Sequence, residues 1–205
     1  MNGQILRKVG DGNYDITAVY GYNEATGDVY YQSAALGATD RQVYVSHKNG
    51  KTQRLTDREG WNTALFSGDF QYFINTWSDF NTPFVFTTRN RDGRVISTLE
   101  DNKELRQIVK EAGFTKREPF SFTTSEGVTL NGWMVKPADF DASRKYPVIM
   151  HQYSGPGSQQ VTNSWNAGSL GQGGAFDYYL AQQGFILVSV DGRGTGGRGA
   201  EFEKC

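Results

Sequence analysis

The residues with the clearest chemical potential lie in one short stretch, Tyr153-Ser154-Gly155-Pro156-Gly157-Ser158-Gln159. It follows directly on Tyr146-Pro147-Val148-Ile149-Met150-His151-Gln152, which has the composition of a buried strand. Gly and Pro break that strand where a tyrosine stands, so backbone and side-chain donors converge on one small space. A space of that kind stabilises the negative charge developing on a carbonyl under attack. A second glycine-rich stretch, Asp191-Gly192-Arg193-Gly194-Thr195-Gly196-Gly197-Arg198-Gly199, follows the apolar run Phe185 to Val190.

A nucleophile is harder to find. Serine catalysis on a strand-turn-helix scaffold needs the elbow G-x-S-x-G, which lifts the hydroxyl above the sheet. Ser154, Ser158 and Ser169 have glycines nearby, yet none has one two residues away on both sides, so they read as turn-forming hydroxyls. His47 ends a strand beside a hairpin and reads as solvent-exposed. His151 lies inside a strand and reads as packed or hydrogen-bonded. A catalytic triad needs a base within reach of the nucleophile and an acid that orients it, and these residues supply no such set.

Two other chemistries are excluded. Gly192-x-Gly194-x-x-Gly197 formally matches the dinucleotide fingerprint and follows a strand. Asp191 stands immediately before it, however, where a carboxylate repels a pyrophosphate. The ribose-binding acid expected about 20 residues later falls beyond Cys205. The stretch reads instead as a tight turn fixed by charge-assisted bonds of Asp191, Arg193 or Arg198. Two scattered histidines and the lone Cys205 cannot build a zinc site, and no cofactor or metal is expected.

The elements that position these residues fall into two parts. Residues 14–55 and 61–99 repeat a pattern of four short strands, with Asn49-Gly50 and Asp92-Gly93 at matching hairpins. Both dipeptides accept positive φ at both turn centres. Four strands recurring at roughly 40–45 residues mark propeller blades. A generic antiparallel sandwich is the competing arrangement, and the matched hairpins favour blades. A helix follows as a hinge, with Asp101 and Glu104 spaced as an acidic capping box, Leu105, Ile108, Val109 and Ala112 forming an apolar face, and Gly113 stopping it. From Pro119 the strands lengthen. A hairpin across Ser125-Glu126-Gly127 is followed by strand 146–152, helix 175–183 and strand 185–190, a parallel crossover and hence α/β architecture. The fold class is β plus α/β, divided into residues 1–100 and 101–205.

Charge is nearly balanced, with 21 basic and 22 acidic residues, so no nucleic-acid or anionic-membrane partner is implied. No apolar run of about 18 residues marks a membrane span. Aromatic residues make up 14% of the chain and follow strand alternation, so Trp61, Trp77, Trp133 and Trp165 need only packing roles. Open strand edges predict self-association.

Lys145-Tyr146-Pro147, then Tyr153-Ser154-Gly155-Pro156 with Ser158-Gln159, then Asp191-Gly192-Arg193-Gly194, in this order, resemble the prolyl oligopeptidase family of serine peptidases, in its dipeptidyl peptidase IV branch. Asp15-Ile16-Thr17-Ala18-Val19-Tyr20 with Asn23-Glu24-Ala25-Thr26 looks like the end of that family's propeller, and Leu99-Glu100-Asp101-Asn102 like the exit into its α/β-hydrolase domain. The resemblance implies an internal fragment of an extracytoplasmic serine exopeptidase that releases N-terminal Xaa-Pro or Xaa-Ala dipeptides from peptide substrates. It implies a Ser-Asp-His triad beyond Cys205, an amine-binding glutamate pair before Met1, and an inactive isolated chain. Only Tyr153 carries over as a site residue, its hydroxyl resembling the side-chain donor of the oxyanion hole. Gly157 replaces a cysteine that some relatives carry. A tripeptidyl or acylaminoacyl peptidase and a non-catalytic propeller-type binding module remain the alternatives.

Overall fold

A computed structural model of the chain describes residues 3–5, 7–10, 12–153, 155–166 and 174–204; Ser154, Ser169 and Cys205 lie outside the described residues. Alternating apolar residues between turn signals produce two four-stranded antiparallel sheets in succession. The first comprises β1 (Ile16–Asn23), β2 (Asp28–Ser33), β3 (Gln42–Ser46) and β4 (Thr52–Arg54), side by side in chain order. The second repeats that order with β5 (Trp61–Phe66), β6 (Tyr72–Ser78), β7 (Val85–Asn90) and β8 (Val95–Glu100). The two repeats expected from the sequence coincide with these sheets.

The hairpins close differently from the expectation. Gly50 and Gly93 are left-handed, each with φ 87, whereas Asn49 and Asp92 are not. In each case a three-residue loop ends in a left-handed glycine, with N–H of Gly50 bonded to O of His47 and N–H of Gly93 to O of Asn90, both at 2.9 Å. Asparagine side chains hold the loops from within. Asn49 Oδ1 accepts the Lys51 N–H at 3.0 Å, and Asn90 Oδ1 accepts the Arg94 N–H at 2.8 Å.

Between these sheets Tyr30, Val43, Val45, Leu55 and Phe73 form a buried core with Tyr20, Phe66 and Phe70 packed on it. The Tyr30 ring stacks on Phe70 at 4.6 Å and meets Phe66 at 4.8 Å, separations in the range that aromatic pairs favour.

The hinge helix α1 (Lys103–Glu111) forms where expected but starts and packs differently. Its N-cap is Asn102, in the left-handed region with φ 49, and no side chain caps it. The Asp101 carboxylate instead turns to the N–H of Lys103 at 3.0 Å, so the capping box is not made. The apolar face is also thinner than its spacing suggested. Val109 packs on the core, whereas Ile108 is 60% exposed. Gly113, with φ 71, ends the helix as expected.

A third sheet has the order β11-β12-β10-β9. It contains β9 (Arg117–Thr123), β10 (Thr129–Val135), β11 (Val148–His151) and β12 (Ile186–Asp191), with α2 (Ala175–Gln182) leading from β11 to β12. β11 and β12 are parallel and the other pairs antiparallel. β9 begins three residues before the expected Phe120 and passes through Pro119, which an edge strand tolerates because its missing N–H can face away from the ladder. The second core joins Trp133, Val135 and Leu187 of this sheet to Tyr178 and Ala181 of α2, Val161 and Trp165 of the loop between β11 and α2, and Phe80 of the loop between β6 and β7. Phe80 therefore packs a loop of the second sheet into this core. α3 (Ala200–Glu203) closes the described chain.

Candidate functional site

Tyr153 stands two residues past the carboxyl end of β11, beside the parallel strand β12, and is 65% exposed. The turn after it is dictated by its sequence. Pro156 presets one central position and Gly157, with φ 75, supplies the other, so the Ser158 N–H closes onto Gly155 O at 3.0 Å. The Ser158 hydroxyl accepts the Gly155 N–H at 2.8 Å and donates to Gly155 O at 2.6 Å. Ser158 is thus a turn-forming hydroxyl, as its surroundings suggested.

The rest of this loop is clamped from two sides. On one side is the glycine-rich stretch after β12. The buried Asp191 carboxylate accepts the Gln160 N–H at 2.8 Å and the Val161 N–H at 3.0 Å. Burial pushes the Asp191 carboxyl above the usual carboxylate range, against the two amide bonds and Arg198, which pull it down. The Gly196 N–H reaches Ser158 O at 2.9 Å. Arg198 makes a charge-assisted bond of the kind expected for the glycine-rich stretch: it donates to Thr129 O at 2.5 Å, and it lies over the Phe202 ring at 4.0 Å.

On the other side is the loop before β3. Arg41 donates to Gln159 Oε1 at 2.6 Å and Gln159 Nε2 donates to Ala38 O at 2.6 Å. Asn163 extends the seam, its N–H reaching Thr39 O at 2.8 Å and its amide Asp40 Oδ1 at 2.9 Å. Asn163 also accepts the Phe80 N–H at 3.0 Å, so both antiparallel sheets bind the same loop.

Beneath the loop His151 Nε2 lies 2.9 Å from Oδ1 of Asp177, which is wholly buried in the first turn of α2. Trp133 packs beside the imidazole, and the buried Arg117 guanidinium lies over the Trp133 ring at 4.2 Å. His151, Trp133, Arg117, Gln159 and Gln160 line a polar cavity of about 210 Å³. The expectation that His151 is packed or hydrogen-bonded agrees with this geometry. His47 departs from its expected exposure. Its Nδ1 sits 3.3 Å from the carboxylate of the buried Asp28. Among the described residues no group of three His, Cys, Asp or Glu side chains could hold a metal ion, and no helix is long and apolar enough to cross a membrane.

Sequence reasoning passed over Arg41 and Asp177, and took Gln159 only as part of the loop motif. Arg41 and Gln159 read as loop residues, and nothing local marks them as partners 118 positions apart. Asp177 left a signal, a lone carboxylate within the apolar run Ala175-Phe176-Asp177-Tyr178-Tyr179-Leu180.

Comparison with known proteins agrees with this architecture. A family model described as the dipeptidyl peptidase IV N-terminal region matches residues 1–84. The dipeptidyl peptidase 4 of Trichophyton equinum is 30% identical over 201 residues, covering 95% of this chain and 25% of the relative. The probable dipeptidyl-aminopeptidase B of Chaetomium globosum is 34% identical over 173 residues, covering 82% of this chain and 18% of the relative. The crystal structure of Porphyromonas gingivalis dipeptidyl peptidase 4 superposes with a TM-score of 0.90 at 42% identity, covering 99% of this chain and 28% of that one. This chain therefore spans about a quarter or less of the length of these relatives. The proteins it resembles are named dipeptidyl peptidases, and the family this similarity supports is that of dipeptidyl peptidase IV.

Proposed function

We infer that this chain is an internal segment of a serine exopeptidase that removes N-terminal dipeptides, Xaa-Pro or Xaa-Ala, from peptides in an extracytoplasmic compartment. In this reading residues 1–100 contribute propeller blades and residues 101–205 open an α/β-hydrolase domain. The observation that carries it is the place of Tyr153, on a braced loop at the carboxyl end of a parallel strand, where open α/β sheets bind their ligands.

The chemistry follows from the position. A serine supplied by sequence outside these residues attacks the scissile carbonyl, and the carbonyl oxygen gains charge. The Tyr153 hydroxyl donates a hydrogen bond to that oxygen, which strengthens as the charge grows. The loop is already held by Asp191 and Gln159, so little reorganisation accompanies the reaction.

Steady-state kinetics of Tyr153→Phe in the full-length polypeptide test the assignment. Loss of one oxyanion donor lowers kcat by about 10²–10³-fold. KM should change little, because the bond is made chiefly in the transition state. A kcat within about threefold of the parent would remove the role assigned to Tyr153.

By the same reading the isolated 205 residues release no chromophore from a Gly-Pro anilide, since no G-x-S-x-G elbow lies within them. Self-association through β8, an edge strand whose six residues are all exposed, completes it.

A further inference from the structure

Three segments far apart in sequence meet at one point. They are the loop before β3 at Ala38–Arg41, the loop after Tyr153 at Gln159, and the glycine-rich stretch at Gly197. The Arg41 guanidinium is buried there, and its surroundings specify its direction. Nη1 donates to Ala38 O at 2.9 Å and to Asp40 O at 2.8 Å, Nη2 donates to Gln159 Oε1 at 2.6 Å, and the group lies over the Trp61 ring at 4.5 Å. Every hydrogen-bonding atom of the Gln159 amide is engaged, because Nε2 donates to Ala38 O at 2.6 Å and to Val161 O at 3.3 Å.

Gly197 accounts for part of the glycine run. It has φ 85, and a Cβ there would stand 2.9 Å from Gln159 Oε1, 3.0 Å from Ala38 O and 3.0 Å from the Arg41 guanidinium. Only glycine lets the stretch press against this cluster. Gly197, the last of the glycines that formally match a nucleotide fingerprint, is thus packed against this protein cluster.

We propose that Arg41 and Gln159 form a latch through which the first antiparallel sheet sets the position of the Tyr153 loop, making both positioning residues for the reaction. The proposal rests on the oxyanion role of Tyr153. It adds that the blades take part in catalysis at the oxyanion centre itself, beyond any contact they make with substrate. Five residues separate Tyr153 from Gln159; Ser158, next to Gln159, closes the turn onto Gly155 at 3.0 Å and its hydroxyl reaches Tyr153 O at 3.4 Å, so a shift at Gln159 is passed on. A displacement of about 1 Å at a reacting centre can cost about 10²-fold in rate.

The test is a double-mutant cycle in the full-length polypeptide, with dipeptidyl anilide substrates. Gln159→Asn keeps the amide and withdraws it by one methylene. Gly197→Ala presses on the same cluster from the opposite side. Each should lower kcat by about tenfold or more with KM nearly unchanged, and each should add less than about threefold when Tyr153→Phe is already present. Circular dichroism melts identify the temperature at which all variants are folded for the assay. If Tyr153→Phe is costly while the latch variants are silent, or multiply fully with it, the latch is overturned and the oxyanion role stands. If Tyr153→Phe itself is silent, the oxyanion role falls and the latch falls with it.

Discussion

The Asp191 carboxylate and the backbone of Gln160 meet at 2.8 Å, with Val161 N–H on the second oxygen at 3.0 Å. One buried side chain at the end of β12 thus holds the loop that Tyr153 begins. Asp191→Ala should leave the buried Val161 N–H without an acceptor, at a cost of about 1–3 kcal/mol, and the part-buried Gln160 N–H at a smaller one. Urea unfolding of the full-length variant should show a lower midpoint with an unchanged m-value.

The same carboxyl makes stability depend on pH with a definite sign. Burial raises the Asp191 pKa in the folded state, so the folded chain holds the proton longer than the unfolded chain does. Stability from this group is therefore greatest below the ordinary carboxylate value, and is lost as pH rises from there through the raised folded pKa. The stability advantage of the parent over Asp191→Asn should shrink as pH rises through that window. Paired urea titrations between about pH 3.9 and neutrality would read it. An advantage that grows with pH would show that the amide bonds outweigh burial.

His151→Leu should be costly. It leaves the Asp177 carboxylate wholly buried without the imidazole, and breaking a buried pair from one side costs about 3–5 kcal/mol. Replacing both residues, as His151→Leu with Asp177→Leu, should recover part of that loss. Differential scanning calorimetry of the two variants distinguishes the pair from a mere packing role for the histidine.

Gly50 and Gly93 offer a controlled comparison. Both have φ 87 at matching hairpins, but a Cβ on Gly50 meets nothing within 4 Å, whereas one on Gly93 would lie 2.3 Å from Leu55 O. Gly50→Ala should cost only the left-handed strain, about 1–2 kcal/mol. Gly93→Ala should cost distinctly more, because the neighbouring sheet must move. Equal melting temperatures for the two variants would show that the Leu55 carbonyl yields freely.

Local chemistry made much of this fold legible. Asn-Gly and Asp-Gly located the hairpins, Gly113 and Gly184 marked the ends of α1 and α2, and the apolar run before Asp191 gave β12. Expectations failed for local and for distant reasons. Asp101 had the spacing of a cap but bonded the N–H of its near neighbour Lys103, and His47 looked exposed until Asp28, on the paired strand, came beside it. The site was legible only as a tyrosine before a glycine turn. Its bracing comes from Arg41, 118 positions from Gln159, and Asp191, 31 from Gln160, and neither contact leaves a periodic trace.

Arg41 has one more relationship, this time through its main chain. Its N–H bonds Gly60 O at 3.0 Å and its O accepts the Asn62 N–H at 3.0 Å, an isolated parallel bridge that joins the first sheet to the second. Its side chain meanwhile holds the loop that precedes Trp165. A single residue therefore belongs to three structural units at once, so none of them can open alone without releasing it. Amide hydrogens at Arg41 and Asn62 should exchange with deuterated solvent only through large cooperative openings, whereas those of the exposed edge β8 exchange by local fraying.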